Sequence, residues 1–451
     1  MTIDNLSFKS NKSLNETPED IVLSSVDYLT QLYTFATLRD TEEIYYYDKT
    51  KGIFVPGGDK FIKGEVVATH RKITTGQMKE IINKIKWETY VNRDEFDTKI
   101  EWLASENCMI NLLSGKTQTH SPEFMATVQI PVSYQLNFTT SNKQQSIHNT
   151  NYSYCPKIMR FLYQVLYSKK DVETILDFLA YCLWREYKFH KILILHGEGR
   201  NGKGTLCKLI CSFFGTKQVS NESLDQLLNN RFSSSQLFGK FVNIDQDLSE
   251  RKLTKTGVLK KLSGNDQLSA ERKFQPQFNF TNFAKIIVVT NELPEIDDDT
   301  IAFFSRLIII DFSKTYLENA NPDLIKELTT KEELSGLLTV LLKRLPRVLK
   351  QGIYYDKSVE ETRRKYQLRM NSVKYFADEY LEENGGNNIR KDILNQNYKE
   401  FCYKNKIPPK SEYAFSKLMS KIGFSYEQLR NGTDRNYYWM NIKIKDKSFG
   451  S

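Results

Sequence analysis

The chain has 451 residues, 40% of them hydrophobic and 26% charged, enough for two to four domains that each bury a core. Lys and Arg outnumber Asp and Glu by 64 to 55, a basic balance that suits a nucleic-acid partner without establishing one. The opening MTIDNLSFKSNKSLNETPED does not read as a secretory signal. No apolar run approaches the ~20 residues needed to cross a bilayer, so no membrane association and a cytoplasmic location are expected.

Residues 1–20 are polar and read as a loose arm, and 21–150 as an N-terminal α+β domain. Within it EIYYYD (43–48) and GIFVP (52–56), separated by a turn, predict a β-hairpin. FTTSNKQQSIHNTNYS (138–153) is apolar-poor and predicts a linker. A helical collar is expected over 151–190, where Ile175, Leu176, Leu179 and Leu183 share one face. The six cysteines, at 108, 155, 182, 207, 211 and 402, lack histidine or cysteine partners at zinc spacing and read as reduced, buried thiols.

From 191 to 350 the pattern changes. ILIL (192–195), KFVNIDQD (240–247), FAKIIVVTN (283–291) and RLIIIDF (306–312) are near-continuous apolar runs alternating with helical stretches. Such runs predict a sheet covered on both faces, and hence an α/β nucleotide-binding core. From 365 to 447, helical patterns followed by the aromatic strand RNYYWMNIKIK (435–445) suggest a winged-helix domain.

The strand ILIL runs into HGEGRNGKGT, a glycine-rich loop opening a helix. Successive backbone N–H groups of such a loop surround phosphate oxygens, so Gly197, Glu198, Gly199, Arg200, Asn201, Gly202, Lys203, Gly204 and Thr205 are the expected ATP-binding residues. The usual pattern puts a hydroxyl directly after the lysine, but here Gly204 intervenes and the hydroxyl arrives as Thr205. Mg²⁺ is therefore expected to depend on Thr205, on water and on Asp245 or Asp247, the acids ending FVNIDQD. A solvated acidic turn before a helix over 249–262 is the plain alternative for those acids. Asn291, at the tip of VVTN, has the type and position to hold an attacking water, although an ordinary Asn turn fits equally. Arg306 can serve a neighbouring subunit as an arginine finger, or simply make a surface ion pair. LSAERKF and FNFTNF pair as a hairpin whose tip carries Arg272, Lys273 and Phe274, cations beside an aromatic ring that suit single-stranded nucleic acid or a solvated turn.

In this order, GEGRNGKGT, NIDQDLS, LSGNDQLSAERKFQPQFNF, TNELP followed by Asp298, Asp299 and Thr300, and the stretch from Arg306 to Phe312 resemble the superfamily 3 helicases. The closest likeness is to the helicase part of phage, plasmid and poxvirus primase–helicases. Upstream, ENCMINLLSGKTQTHSPEF (106–124) is similar to the segment preceding such helicases, with Cys108 replacing a glycine and Asn111 an aspartate. The resemblance implies an AAA+ fold, and a homo-hexamer that hydrolyses ATP with Mg²⁺ at subunit interfaces while pulling single-stranded DNA through its centre to open forked DNA. It implies phosphate binding by Lys203 and Thr205, metal and water roles for Asp245 and Asp247, a sensor role for Asn291, a finger role in trans for Arg306 and a central DNA contact for Lys273. A viral member would work in the host cytoplasm. The N-terminal region shows neither a primase acidic set nor a nickase His-hydrophobic-His motif, so priming would fall to a separate primase or polymerase. A small-molecule nucleotide kinase of the adenylate kinase type, whose loop also reads GKGT, and an ATP-switched DNA-binding replication initiator are the competing functions.

Overall fold

The computed structural model describes residues 17–135, 153–166, 168–246, 256–274, 276–296, 300–316, 321–405, 407–431 and 434–445. The first helix, α1 (Pro18–Leu32), begins inside the stretch expected to be a loose arm. Thr17 and Asp20 form a reciprocal capping box there, and Pro18 sits where its missing N–H costs nothing. Strands β1 (Phe35–Leu38), β2 (Ile44–Asp48) and β3 (Ile53–Pro56) follow, then α2 (Gly58–Thr69), α3 (Thr75–Glu88) and β4 (Tyr90–Val91). The expected hairpin is β2–β3, and the sheet order is β3-β2-β1-β4. Val22, Val26 and Leu29 of α1 bury with Ile62 and Val66 of α2 and Ile81 and Ile85 of α3. A second small sheet, β5 (Trp102–Ala104), β6 (Met109–Asn111) and β7 (Thr117–Gln118), carries the 106–124 segment. The expected linker at 138–153 lies almost wholly outside the described residues.

Two helices, α4 (Pro156–Val165) and α5 (Lys169–Cys182), lead into the core. One apolar face was expected on α5, but every residue from Thr174 to Cys182 is buried. It packs against the helix Lys331–Gln351, whose Arg344 and Arg347 reach the buried Asp177. The core itself runs β8 (Ile192–His196), α6 (Lys203–Phe214), β9 (Val219–Ser220), α7 (Leu224–Asn229), β10 (Val242–Asp245), α8 (Thr256–Leu262), β11 (Gln267–Ala270), β12 (Phe278–Thr281), β13 (Lys285–Thr290), α9 (Ile301–Phe304) and β14 (Leu307–Asp311). Two further helices, α10 (Leu324–Leu328) and α11 (Lys331–Gln351), complete it.

Five strands form one sheet in the order β14-β8-β13-β10-β9, with every neighbouring pair parallel. All carboxyl ends therefore emerge along one edge, where open α/β sheets place their ligands. The sheet is buried on both faces: residues of β8, β13 and β14 divide alternately between two separate hydrophobic clusters, and β10 gives Val242 and Ile244 to one of them while burying Asn243 and Asp245 on its other side.

Next comes α12 (Val359–Met370), which straddles the start expected for the C-terminal domain. Its Tyr366 packs on Phe303 and Phe304 of the core and donates to the Pro294 carbonyl at 2.8 Å, whereas Leu368 belongs to the C-terminal cluster. That module contains α13 (Ser372–Tyr380), β15 (Leu381–Glu383), β16 (Ile389–Arg390), α14 (Lys391–Lys404), α15 (Glu412–Lys421), β17 (Tyr426–Asn431), β18 (Asp434–Trp439) and β19 (Ile442–Ile444). The single strand expected over 435–445 is thus two strands, broken where Asn441 takes a left-handed φ of 55°. Strand β18 pairs with β17 and β16, and β19 pairs instead with β15.

Candidate functional site

The loop between β8 and α6 closes on itself around Lys203. The Lys203 ammonium donates to the carbonyl oxygens of Gly197 and Glu198, the latter at 2.8 Å, and to Asn201 Oδ1 at 3.3 Å. It also reaches Asn291 Oδ1, at the end of β13, at 3.3 Å. Two residues singled out in separate sequence motifs therefore meet. Burial lowers the pKa of Lys203, with Cys207 and Glu198 acting in the opposite direction. Gly197 and Gly202 have φ of +148° and +95°, and Arg200 of +56°, so three loop residues take positive-φ backbone conformations. Asn201 is buried and donates to the Phe312 carbonyl at 2.9 Å, tying the loop to the exit of β14. Thr205 lies in the first turn of α6, half-buried, where the N-terminal dipole favours an anion.

Asp245 is buried at the end of β10, and its Oδ2 accepts the Leu224 N–H at the start of α7 at 2.8 Å. The register pairs Asp245 with Val288 but His196 with Thr290. Asp245 thus sits two residues, about 7 Å, below the rim on which Asn291 and the phosphate loop lie. Asp247, Asp298 and Asp299 lie outside the described residues. Among the described residues no group of three His, Cys, Asp or Glu side chains forms a metal cage.

Arg306 is not part of this cluster. It immediately precedes β14, at the amino edge of the sheet, and its carbonyl accepts the Ile192 N–H at 2.7 Å. Five strand residues separate it from the loop edge, about 16 Å. Its Nη1 donates to the Ala302 carbonyl at 2.5 Å, and its Nε is buried without a partner.

The hairpin β11–β12 forms in the register Ala270 opposite Phe278, with Leu268, Ala270, Phe278 and Phe280 turned inward onto Phe238. Its tip divides the expected trio. Arg272 lies 3.6 Å from Glu43 of the N-terminal domain, while Lys273 is exposed and Phe274 is fully exposed at a left-handed φ of 63°. Arg93, held by a bidentate pair with Asp40, stacks its guanidinium 4.3 Å from the Phe278 ring centre. The turn end of the hairpin is therefore gripped by the N-terminal domain.

One set of residues was not singled out from the sequence. His196 and Asp311 end adjacent strands, and His196 Nδ1 meets Asp311 Oδ1 at 2.9 Å. Lys365 and Arg369 of α12 each reach the same carboxylate at 3.0 Å. Burial alone raises the Asp311 carboxyl, but hydrogen bonding from His196 and the charges of Lys365 and Arg369 prevail and hold it well below the usual carboxylate range. This network floors a cleft of about 420 Å³ that runs from Gly197 and Glu198 to Ile407 and Lys410 of the C-terminal module. Lys410 pairs with Glu292, next to Asn291, at 2.9 Å. The signal was present in the histidine after ILIL and the aspartate ending LIIID, but pairing them needs the strand order.

These features define a glycine-rich loop closed around Lys203 on the carboxyl edge of a parallel α/β sheet. Residues 21–167 match the family described as "D5 N terminal like", and residues 195–306 match a family described as of unknown function (DUF5906). A putative helicase of Sputnik virophage is 24% identical over 295 residues, covering 59% of this chain and 36% of the relative. A putative helicase of Acanthamoeba polyphaga mimivirus is 24% identical over 293 residues, covering 57% of this chain and 30% of the relative. The chain thus spans about a third of the length of these curated relatives. Among solved structures, the apo NrS-1 C terminal region (305–718) aligns with a TM-score of 0.46 at 13% identity, covering 95% of this chain and 100% of that one. The chain is similar to viral proteins of helicase type, and none of its described helices is long and apolar enough to cross a membrane.

Proposed function

We propose that the chain is an ATP-dependent DNA helicase of the superfamily 3, AAA+ type that works as a homo-hexameric ring in viral or plasmid replication. The observation that carries this reading is the convergence of Lys203 and Asn291 at the mouth of the phosphate loop, 3.3 Å apart though 88 residues separate them in sequence. Lys203 takes the outer phosphates of ATP in exchange for the loop carbonyls it now holds, and Asn291, released from the ammonium, orients water. Thr205 and Asp245, with Asp247, are the oxygens assigned to Mg²⁺, which neutralises phosphate charge when bound. Arg306, about 16 Å from its own loop by strand rise, can complete only a neighbouring copy's site, which supports a ring. The exposed Lys273 and Phe274 supply the charge and the stacking surface that track a single strand. The C-terminal helices and the β17–β18 hairpin are read as a winged helix.

The test is ATP hydrolysis with and without single-stranded DNA, together with strand displacement on a forked duplex. Stimulation by the strand, and unwinding abolished by Lys203→Ala, support the reading. Phosphoryl transfer to a nucleoside monophosphate without any dependence on DNA would replace it with the kinase reading, and DNA binding switched by ATP without unwinding would replace it with an initiator.

A further inference from the structure

The later part of the C-terminal module is basic. Between 390 and 445 there are twelve Lys or Arg and five Asp or Glu, against a net charge of +9 for the whole protein. Within that stretch, Arg390, Lys391 and Lys417 line a concavity of about 670 Å³ between α15 and the β17–β18 hairpin. Three tyrosines on its wall are left in solvent: Tyr413 is 78% exposed, Tyr437 49% and Tyr426 40%. Exposed aromatic rings beside lysines need a reason, because a folded module gains by covering them.

The arrangement of charge sharpens the question. The carboxylates in the wall are already engaged, Asp392 by Arg390 at 2.6 Å and Glu412 by Lys399 at 3.2 Å. Lys391 instead lies 3.9 Å from the centre of the Tyr426 ring, and the exposed Lys417 lines the same hollow. At the floor, Asn395 is 4% exposed, and its Oδ1 is buried without a hydrogen-bond partner. A buried amide oxygen left unsatisfied is costly, and a ligand entering the hollow that Asn395 lines can bring it a donor.

We propose that this concavity is a second nucleic-acid site that captures an unstacked base of single-stranded DNA, separate from the β11–β12 hairpin. Tyr413 and Tyr437 supply stacking faces, Lys391 and Lys417 take the flanking phosphates, and Asn395 accepts from an exocyclic amino group. Adenine carries such a donor. Unstacked bases of a single strand can reach these rings, whereas the bases of a duplex are stacked on one another.

The full-length chain, carrying Lys273→Ala so that the hairpin does not mask the result, is titrated without nucleotide against fluorescent oligo(dA) and the same strand in a duplex. Absence of nucleotide keeps the outcome separate from the ATPase reading. Binding favours the single strand, and Tyr413→Ala with Tyr437→Ala weakens it about tenfold or more, as loss of base stacking does. Tyr413→Phe, which keeps the ring, binds like its parent. Both alanine sites lie on the surface, so loss of folding is not the expected cause of weaker binding, and an unchanged thermal transition checks this. Unchanged affinity in the double variant overturns the proposal. So does tighter binding of the duplex that the same substitutions abolish, which would make the face a duplex-docking surface.

Discussion

Glycine substitutions in the phosphate loop test whether its shape rests on two glycines rather than on every one. A β-carbon on Gly202, at φ +95°, would lie 2.6 Å from Val165 Cγ1, and one on Gly197 would lie 2.4 Å from the Phe312 carbonyl oxygen. A β-carbon on Gly204 meets nothing within 4 Å, and Gly204 is helical. For Gly202→Ala the disfavoured backbone costs about 1–3 kcal/mol. Overpacking against the β-branched Val165 adds about 1–3 kcal/mol. The combined loss, about 2–6 kcal/mol, is a large fraction of the stability of one domain. Gly204→Ala removes unfolded-state freedom instead and is worth about 0.4–1 kcal/mol in favour of the native chain. Urea denaturation followed by circular dichroism, with binding of a fluorescent ATP analogue at each step, reads both effects. Gly202→Ala should lower the midpoint and lose the analogue, whereas Gly204→Ala and Gly204→Ser should keep both. A Gly204→Ala chain as damaged as Gly202→Ala would refute the reasoning and give Gly204 a role that its open surroundings do not explain.

The Asp311 network predicts a signed pH dependence. Because its folded pKa is depressed, its stabilisation is complete above the unfolded value of 3.8 and is lost as pH falls through the folded one. Asp311→Asn leaves Lys365 and Arg369 without their shared carboxylate and should cost about 3–5 kcal/mol near neutrality. Acid titrations of the two chains should converge below pH 3.8, and a gap that widened on acidification would contradict the assignment. Arg306→Ala should leave nucleotide binding intact but lower hydrolysis by about 10³-fold or more, read by steady-state ATPase, since the side chain lies at the far edge of its own sheet. Equal loss of binding would remove the trans role. Lys273→Ala and Phe274→Ala should retain basal ATPase and lose fork unwinding, and unwinding at the parent rate would dissociate the hairpin tip from DNA.

The core strands were legible because ILIL, FVNI, IIVV and LIIID are apolar at every position but Asn243 and Asp311, the pattern of a sheet covered on both faces. The glycine-rich loop between strand and helix was legible because its residues are contiguous. What escaped was long-range. The His196–Asp311 pair joins residues 115 apart, and Asn201 holds the Phe312 carbonyl across 111. Neither contact exists until β14 and β8 lie side by side. Burial of α5 on every face escaped for the same reason: its polar Asp177 reads as a solvent residue until Arg344 and Arg347 arrive from α11. The hairpin tip was read as one cationic trio, but Glu43 comes from another domain and draws Arg272 aside.

The central claim is that Lys203 and Asn291 belong to one motor driven by ATP on DNA. The most direct measurement is the steady-state ATPase rate of the full chain with and without single-stranded DNA, alongside displacement of a labelled strand from a fork. The account predicts hydrolysis that rises with the strand and unwinding that stops in Lys203→Ala. Hydrolysis indifferent to DNA, or strand displacement that survives Lys203→Ala, would contradict it.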